Sequence, residues 1–361
     1  KHGIKLVLGY TVEGFKEKDN GVEVLLKDNP SLQADMVVLA IGVTPDTALA
    51  KEAGLELGIK GSIVVNDRME TSVPDIYAAG DAVQVKHYVT GDDALISLAG
   101  PANKQGRIIA DNICGGDSHY LGSQGSSVIK VFDMTAATTG INETNAKKSG
   151  LEVDTVILSP MSHAGYYPGG KVMTMKVVFE KETYRLLGAQ IIGYEGVDKR
   201  IDVLATAIHA GLKATQLKDL DLAYAPPYSS AKDPVNMAGF MIDNIAKGTL
   251  KQWHLEDMDK ISRDKSVVLL DVRTVGEFNR GHMDGFKNIP VDELRERINE
   301  IEKGKPVYLI CQSGLRSYIA SRILEGNGYE TYNFTGGFRF YDAVVNDRAL
   351  IEKAYACGMD Y

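Results

Sequence analysis

The stretch PVYLICQSGLRS, residues 306–317, decides the fold of the C-terminal part of the chain. Its apolar start predicts a buried strand and the residues from Ser317 onward predict a helix, so Cys311 lies at a strand-to-helix turn. Backbone N–H groups converge at such a turn, where the helix dipole favours the thiolate that attacks sulfur. Gly314 lets the loop curl inward, and Arg316 adds a fixed positive charge. The loop therefore predicts a site for a negatively charged sulfur species; the alternative is a buried cysteine that ends a core strand.

Strands and helices alternate around this loop over about 100 residues, which predicts a compact parallel α/β domain. We expect strands at residues 267–273 and 328–334, a helix at 292–301 and a tight turn at Gly336-Gly337.

Two motifs, LLDVRxxxEFxxGHxxGxxNIP and CxxGxRS, closely resemble the rhodanese (sulfurtransferase) domain. The resemblance implies that Cys311 is the sulfur-carrying nucleophile and that Arg316 helps to hold its negative charge. It further implies substrate contacts from the loop residues Gln312, Ser313, Gly314 and Leu315, and structural roles for Asp271, Arg273, Glu277 and His282.

Composition limits the class of protein. The chain has 361 residues, enough for two or three domains, and 44% are hydrophobic without any run long enough to span a membrane. A net charge of -8 argues against nucleic acid or an anionic membrane as a general partner. Cys114, Cys311 and Cys357 lie far apart, so neither a disulfide framework nor a metal site is predicted. We expect a soluble cytoplasmic protein.

The N-terminal residues predict short strands at 4–8, 21–27 and 36–41. The last of these is continuously apolar, which is typical of a strand buried on both faces of an α/β unit. Because the first residue is Lys1 and not Met, and the opening residues already read as a strand inside a domain, we expect an N-terminally truncated chain.

Residues 71–82 read TSVPDIYAAGDA, in which a short strand is predicted at 76–79 and ends in Gly80-Asp81. A carboxylate at this end of a strand can accept a hydrogen bond from a ligand hydroxyl. Together with AIGxxP at residues 40–45, the stretch resembles the FAD-dependent pyridine nucleotide–disulfide oxidoreductases. The resemblance implies that Gly80, Asp81 and Ala82 contact FAD, with Asp81 on a ribityl hydroxyl. The chain has no GxGxxG, so the two glycine motifs and the redox cysteine of this family are expected upstream of Lys1.

A helix is predicted at residues 98–113. It begins with Gly-Pro, which is compatible with a helix because a proline in the first turn loses no hydrogen bond. The resemblance places it beside the flavin, with Pro101 and Ala102 at the cofactor and the polar residues Asn103, Lys104 and Arg107 toward a thiol substrate. A solvated helix face is the alternative for each polar residue. Cys114 reads as buried and without a role.

From residue 127 to about 245 the pattern predicts a mixed antiparallel sheet with helices on one side, and it resembles the interface (dimerisation) domain of the same family. A homodimer is therefore expected. The predicted elements are strands 128–132, 136–139, 153–158, 172–179 and 186–192, and helices 142–149, 197–210 and 234–246. The apolar stripe of helix 197–210 faces either a second subunit or its own core.

Two tyrosine-rich segments stand out, at residues 163–169 and in the Tyr-Ala-Pro-Pro-Tyr run at 224–228. They resemble the CoA-disulfide reductases, in which tyrosine hydroxyls of the partner subunit bind over the catalytic sulfur. Tyr166 and Tyr224 are the residues we expect there, with Tyr167 and Tyr228 left open. Lys199 and Arg200 are expected either at CoA phosphates or in a surface salt bridge.

These parts together resemble the CoA-disulfide reductase–rhodanese fusions. The predicted fold class is α/β: the C-terminal part of a flavoprotein with two dinucleotide-binding domains, an α+β interface domain and a rhodanese-like parallel α/β domain. The expected boundaries are 1–45 for the end of the NAD(P)H-binding domain, 46–120 for part of the FAD-binding domain, 121–246 for dimerisation, 247–256 for a linker and 257–361 for rhodanese.

The predicted function is reduction of CoA persulfide, polysulfide or CoA disulfide with FAD, NAD(P)H and coenzyme A, with sulfane sulfur relayed through a persulfide on Cys311. Three alternatives remain open at this point. The rhodanese domain is only accessory to reduction of CoA disulfide; oxygen reoxidises the flavin in an NAD(P)H oxidase; or the chain is a sulfurtransferase or sulfur-carrier module without redox function.

Overall fold

The computed structural model describes the backbone of residues 3–356 and the side chains of residues 3–347, so Cys357 lies outside the described residues. The chain divides into two compact units, one formed by residues up to 43 and from 341 onward, the other by residues 44–340. Within residues 3–356 no helix combines the length and the apolar composition that a membrane span requires.

The first unit contains a three-stranded antiparallel sheet in the order β1-β2-β3. Its strands are β1 Val12–Lys18, β2 Gly21–Leu26 and β3 Asn29–Ala34. The strand predicted at residues 21–27 is confirmed, but those predicted at 4–8 and 36–41 are wrong. A continuously apolar strand needs hydrogen-bonded neighbours and cover on both faces, and no described strand pairs with residues 36–41. Their apolar side chains are exposed as a result, Ile41 to 82%.

Residues 44–125 form short elements around a small core of Met69, Val83 and Val85. The elements are helix α1 Ala48–Glu52, strands β4 Val85–Lys86 and β5 Asp93–Ala94, and helix α2 Ala99–Ile113. Helix α2 confirms the prediction at 98–113. The strand predicted at 76–79 is wrong, since only Tyr77 makes a single bridge, to Glu70.

A five-stranded antiparallel sheet in the order β6-β7-β10-β9-β8 follows. The strands are β6 Ser127–Val131, β7 Met134–Gly140, β8 Val153–Leu158, β9 Met173–Glu180 and β10 Leu186–Gly193; the helices are α3 Glu143–Lys148, α4 Val197–His209 and α5 Pro234–Ala246. The predicted strands and helices are confirmed. The stripe on α4 packs on its own sheet, because Ile201, Leu204 and Ile208 are buried in this core, so core packing rather than subunit contact explains it.

The last sheet is parallel throughout, in the order β11-β15-β14-β12-β13, which confirms the predicted parallel α/β domain. Its elements are β11 Gln252–Trp253, α6 Met258–Ile261, β12 Val268–Asp271, α7 Val275–Arg280, β13 Lys287–Asn288, β14 Val307–Ile310, α8 Leu315–Glu325, β15 Thr331–Phe334 and α9 Gly337–Ala356. The helix predicted at 292–301 is wrong. That segment forms turns that bury Leu294 and Ile301, so packing overrides its helix propensity.

The parallel sheet docks on the free edge of β8. The Ile157 N–H donates to Thr335 Oγ1 at an N–O distance of 2.8 Å, and Gln252 Nε2 donates to the Thr155 carbonyl at 2.8 Å. His254 Nε2 lies 3.1 Å from Asp154 Oδ1 on the same strand. Side chains of the C-terminal domain thus satisfy backbone groups that an edge strand would otherwise leave unpaired.

Candidate functional site

Cys311 follows β14, and its sulfur is held inside the loop that leads to α8. The Gly314 N–H donates to Sγ at an N–S distance of 3.1 Å, and the Ser317 hydroxyl donates at an O–S distance of 3.2 Å. Cys311 is 1% exposed. Gly314 has a φ of +101°, which glycine adopts without strain. Two donors aimed at one sulfur stabilise a negative charge there. Our sequence reasoning missed Ser317 as a donor, although it closes the CxxGxRS motif.

The start of α9 braces the same loop from behind. The Phe338 N–H donates to the Cys311 carbonyl at 2.8 Å, and the Arg339 N–H donates to the Gln312 carbonyl at 3.2 Å. A Cβ at Gly337 would lie 2.6 Å from the Ser313 nitrogen. The pair Gly336-Gly337 thus does more than form a turn, since it brings a helix start against the loop, and the sequence signal for this contact was only the Gly-Gly pair itself.

Arg316 lies beside the loop in a bidentate ion pair with Glu277. Nη1 and Nη2 each lie 2.7 Å from one carboxylate oxygen of Glu277. Thr274 fixes this carboxylate further, because its N–H and hydroxyl both donate to Oε2. The charge of Arg316 is therefore compensated on one side, and its field at Cys311 is weaker than that of a free guanidinium.

The Glu277–Arg316 pair predicts a pH-dependent stability. Hydrogen bonding from Arg316 holds the pKa of Glu277 down at about 2. Because the pKa in the folded state is lower than in the unfolded chain, the stabilisation is complete above the unfolded value near ~4.3 and is lost as the pH falls toward 2. We expect Glu277→Gln to lower the free energy of unfolding by about 1 kcal/mol at pH 7, with a difference that narrows between about pH 5 and 2.

Urea denaturation followed by circular dichroism across this pH range measures the effect. The matched control is Glu296→Gln, at an exposed position of the same domain, where we expect no pH-dependent difference. A Glu277→Gln deficit that stays constant from pH 7 to 2 would contradict the assignment.

Asp271 and Arg273 form a buried ion pair next to the loop. Arg273 Nη2 lies 2.7 Å from Asp271 Oδ2 and also donates to the Gly281 carbonyl at 2.8 Å. Its guanidinium stacks 3.8 Å from the Phe338 ring centroid. These contacts agree with the structural roles expected of both residues.

The structure brings the two predicted tyrosines together. The hydroxyls of Tyr166 and Tyr224 lie 2.8 Å apart, and both side chains are exposed. The hydrogen bond with Tyr166 raises the pKa of Tyr224 above that of an ordinary phenol. Tyr167 packs against His163 in a T-shaped contact, with ring centroids 5.6 Å apart.

An open pocket of about 490 Å³ lies beside this pair, lined by Tyr224, Tyr228, Lys199 and His163 among others. Arg200 also borders it, but the expectation that Arg200 forms a surface salt bridge or binds phosphate is wrong. Its side chain is 1% exposed and pairs with the buried Asp233. Lys199 is the partly exposed cation of the two, with Nζ 3.9 Å from Asp233 Oδ2.

The predicted cofactor residues also lie together. Gly80, Asp81 and Ala82 form one 3₁₀ turn, and the Gly80 N–H donates to Gln105 Oε1 at 2.7 Å. A Cβ at Gly80 would lie 3.9 Å from the Cβ of Ala102, so the turn rests on the start of α2. Asp81 is exposed. Gln105 is buried and was missed, because a glutamine in a helix carries no signal of such a contact.

The polar residues of α2 separate from one another. Asn103 is exposed and donates to the Ala99 carbonyl of its own helix at 2.9 Å. Lys104 and Arg107 line a second pocket of about 610 Å³, together with Pro101, and not the pocket beside the tyrosines. Cys114 is exposed, so the expectation of a buried residue is wrong.

Three family models match the chain. The pyridine nucleotide-disulphide oxidoreductase model matches residues 1–106, the dimerisation domain of that family matches residues 126–234, and the rhodanese-like domain matches residues 254–343. The chain belongs to the pyridine nucleotide-disulphide oxidoreductases. It also carries a rhodanese-like domain.

Individual relatives of this pyridine nucleotide-disulphide oxidoreductase agree. It is 38% identical over 235 residues to a Pyrococcus abyssi protein named NAD(P)H sulfur oxidoreductase (CoA-dependent), a match that covers 65% of this chain and 52% of that protein. Bacillus anthracis CoADR-RHD, solved in reduced form, has 46% identity and a TM-score of 0.90, covering 94% of this chain and 60% of that one. An NAD-dependent persulfide reductase from A. fulgidus has 40% identity and a TM-score of 0.84, covering 92% and 60%.

The chain spans about half the length of the curated relatives that it matches. The predicted resemblance to the CoA-disulfide reductase–rhodanese fusions and the predicted α/β fold class are confirmed.

Proposed function

We propose that this chain contributes a sulfur-carrying cysteine and a tyrosine pair to a FAD- and NAD(P)H-dependent reductase of CoA persulfide, polysulfide or CoA disulfide. The observation that carries the proposal is the presence, in one chain, of a sulfur held by two donors at Cys311 and of two phenol hydroxyls 2.8 Å apart at Tyr166 and Tyr224. The matches to two oxidoreductase models and a rhodanese model support it.

The chemistry at Cys311 is a transfer of sulfane sulfur. The thiolate attacks the outer sulfur of a persulfide or polysulfide, a new S–S bond forms at Sγ, and the donor leaves as its thiolate. The negative charge then lies on the outer sulfur of the Cys311 persulfide. The Gly314 N–H and the Ser317 hydroxyl hold the inner sulfur during this exchange, and the loop residues Gln312, Ser313 and Leu315 contact the donor.

The tyrosine pair acts on a departing thiolate. A phenol donates a hydrogen bond to anionic sulfur without carrying charge itself, so Tyr166 and Tyr224 steady the sulfur as its bond breaks. Both side chains are exposed, which leaves them accessible to the sulfur of a second subunit. We therefore propose a homodimer in which each subunit supplies its pair to the other, in agreement with the match to a dimerisation domain.

The residues around Asp81 fit a flavin. An exposed carboxylate lies on a turn whose neighbours, Gly80, Ala82 and Ala102, are small enough for a planar group to approach. Bound FAD would supply the reducing equivalents, and NAD(P)H would replenish them. The Asp81 carboxylate would accept a hydrogen bond from a ribityl hydroxyl, and Pro101 would lie near the flavin ring system.

The remaining site residues complete the assignment. Asn103, Lys104 and Arg107 of α2 would contact the CoA substrate. We also propose the predicted domain boundaries, except that the C-terminal domain begins at Gln252 and not at residue 257, because β11 pairs within the parallel sheet. We place the protein in the cytoplasm because thiolate chemistry at Cys311 requires a reducing compartment.

The experiment compares the turnover of two substrates, CoA persulfide and CoA disulfide, by the reductase that contains this chain. We expect Cys311→Ser to lower turnover of CoA persulfide by about 100-fold or more, since a serine cannot carry sulfane sulfur, while turnover of CoA disulfide stays within about twofold. NAD(P)H oxidation measured anaerobically with each substrate gives both rates. Equal turnover of both substrates in the variant would overturn the relay.

A second candidate function follows from the Cys311 loop, which is complete in this chain by itself. It is a sulfurtransferase or sulfur carrier without redox chemistry. The absorbance spectrum of the purified chain separates the two, because bound flavin removes the second candidate and a colourless protein that transfers sulfur from thiosulfate to cyanide supports it.

A further inference from the structure

A buried arginine lies beneath the tyrosine pocket and contacts both segments that carry the tyrosines. Arg200, on α4, donates from Nη2 to the Ser162 carbonyl at 2.9 Å, in the segment that leads to Tyr166. The same nitrogen donates to the Tyr228 carbonyl at 3.4 Å and to Ser229 Oγ at 3.1 Å, in the segment that follows Tyr224. One guanidinium therefore bridges two loops.

The charge of this arginine is matched in the interior. Arg200 Nε donates to Asp233 Oδ2 at 3.2 Å, and Asp233 is 3% exposed. Ser229 Oγ donates to the same oxygen at 2.7 Å, and the Val235 N–H donates to Oδ1 at 3.0 Å at the start of α5. A buried ion pair with this many hydrogen bonds holds its geometry tightly, and removal of one partner leaves a buried charge uncompensated.

The surroundings pack closely against this side chain. Gly196 accepts from Nη1 through its carbonyl at 3.1 Å, and a Cβ at Gly196 would lie 2.0 Å from that nitrogen. The two loops also contact each other where the Ala164 N–H donates to the Ser229 carbonyl at 3.0 Å. Arg200 thus lies at the base of a fixed junction between the segments.

We propose that Arg200 is a positioning residue for the Tyr166–Tyr224 pair. Its Nη2 reaches a carbonyl in each loop at once, because Nε and Nη1 are held by Asp233 and the Gly196 carbonyl. This arrangement sets the separation of the loops and thereby brings the two hydroxyls within hydrogen-bond distance. A lysine at this position has one nitrogen, which cannot pair with Asp233, donate to the Gly196 carbonyl and reach both loops at the same time. The chemical role of the pair rests on the proposed function, but the junction itself does not.

The first test uses the chain by itself. With ¹³C-labelled tyrosine, NMR titration follows each phenol, and Tyr166→Phe and Tyr224→Phe assign the two signals. In the native chain we expect Tyr166→Phe to lower the titration midpoint of Tyr224, because it removes the hydrogen bond between them. In an Arg200→Lys background the midpoint of Tyr224 is already lowered, and adding Tyr166→Phe changes it no further.

Matched variants separate positioning from general damage. Arg185→Lys, at an exposed arginine just before β10 that donates to the Val89 carbonyl at 3.5 Å, should leave the Tyr224 midpoint unchanged. Ser229→Ala keeps the ion pair and removes one link, so it should give a smaller shift and covers the case in which Arg200→Lys fails to fold. Sulfur transfer at Cys311 reports whether the rest of the chain is intact. The proposal is overturned if Tyr166→Phe lowers the Tyr224 midpoint in Arg200→Lys as much as it does in the native chain. If Arg200→Lys does not fold, the same result in Ser229→Ala overturns it.

The second test uses the reductase that contains the chain. We expect Arg200→Lys to lower kcat by about 10- to 100-fold with a smaller change in KM, and to add little to Tyr224→Phe in the double variant. If Tyr224→Phe leaves turnover intact while the NMR coupling depends on Arg200, the proposed function fails and the positioning role stands. If Tyr224→Phe lowers turnover and Arg200→Lys leaves both turnover and coupling intact, the positioning role fails.

Discussion

The Cys311→Ser variant of this chain is expected to lose sulfur transfer from thiosulfate to cyanide by about 10³-fold or more. A serine hydroxyl at this position meets the same two donors, the Gly314 N–H and the Ser317 hydroxyl, but it neither ionises near neutral pH nor forms a persulfide. Because the two side chains differ by one atom in a loop where Cys311 is buried, the fold should be retained. Thiocyanate formation measures the rate, and circular dichroism checks the fold.

Cys114→Ser is the matched control for this prediction. Cys114 is the other cysteine whose side chain lies within the described residues, and it is exposed at the end of α2. Its replacement should leave thiocyanate formation unchanged. Residual activity in Cys311→Ser, combined with a loss in Cys114→Ser, would reverse the assignment of the sulfur carrier.

Gly337→Ala is expected to damage the Cys311 loop from behind. A methyl group at this position would lie 2.6 Å from the Ser313 nitrogen and 2.7 Å from the Gln312 carbonyl oxygen, contacts that only a backbone shift can relieve. Gly337 also has a φ of +69°, a conformation that alanine adopts at a cost of about 1–2 kcal/mol. We expect a loss of about 2–4 kcal/mol in the free energy of unfolding and a fall of about 100-fold in sulfur transfer.

Gly328→Ala separates strain from contact. Gly328 has a similar φ of +81° in the same domain, but a Cβ there would meet nothing within 4 Å. This control should lose about 1–2 kcal/mol of stability and keep its sulfur-transfer activity. Equal losses of activity in the two variants would show that the contact between Gly337 and the loop is unimportant.

The sequence predicted best those features that local pattern determines. The β14–loop–α8 unit around Cys311 and the strands of the antiparallel sheet agree with the structure, because alternating burial along a strand is visible in the sequence itself. The Tyr166–Tyr224 pair was proposed by resemblance, and the structure places the hydroxyls together.

What the sequence did not predict depends on contacts between distant residues. The run at residues 36–41 looked like a buried strand, yet a strand forms only where a neighbour pairs with it. Arg200 looked like a surface cation because nothing in its neighbourhood in the sequence identifies Asp233 as a buried partner. The Gly336-Gly337 pair predicts a turn, but it does not indicate that a helix start rests on a loop 24 residues earlier, at Ser313.

The contacts of Thr335 and Gln252 with β8 have a consequence for how this architecture can be rearranged. A rhodanese-like domain could be removed from such a chain or exchanged for another sulfur carrier. Here such a cut would uncover Thr155 and Ile157 as an unsatisfied template to which another polypeptide could add a strand. A replacement domain must therefore supply its own hydroxyl and amide side chains to the edge of β8, or charged side chains must be introduced at that edge. The antiparallel-sheet domain and the rhodanese-like domain can therefore be exchanged only together.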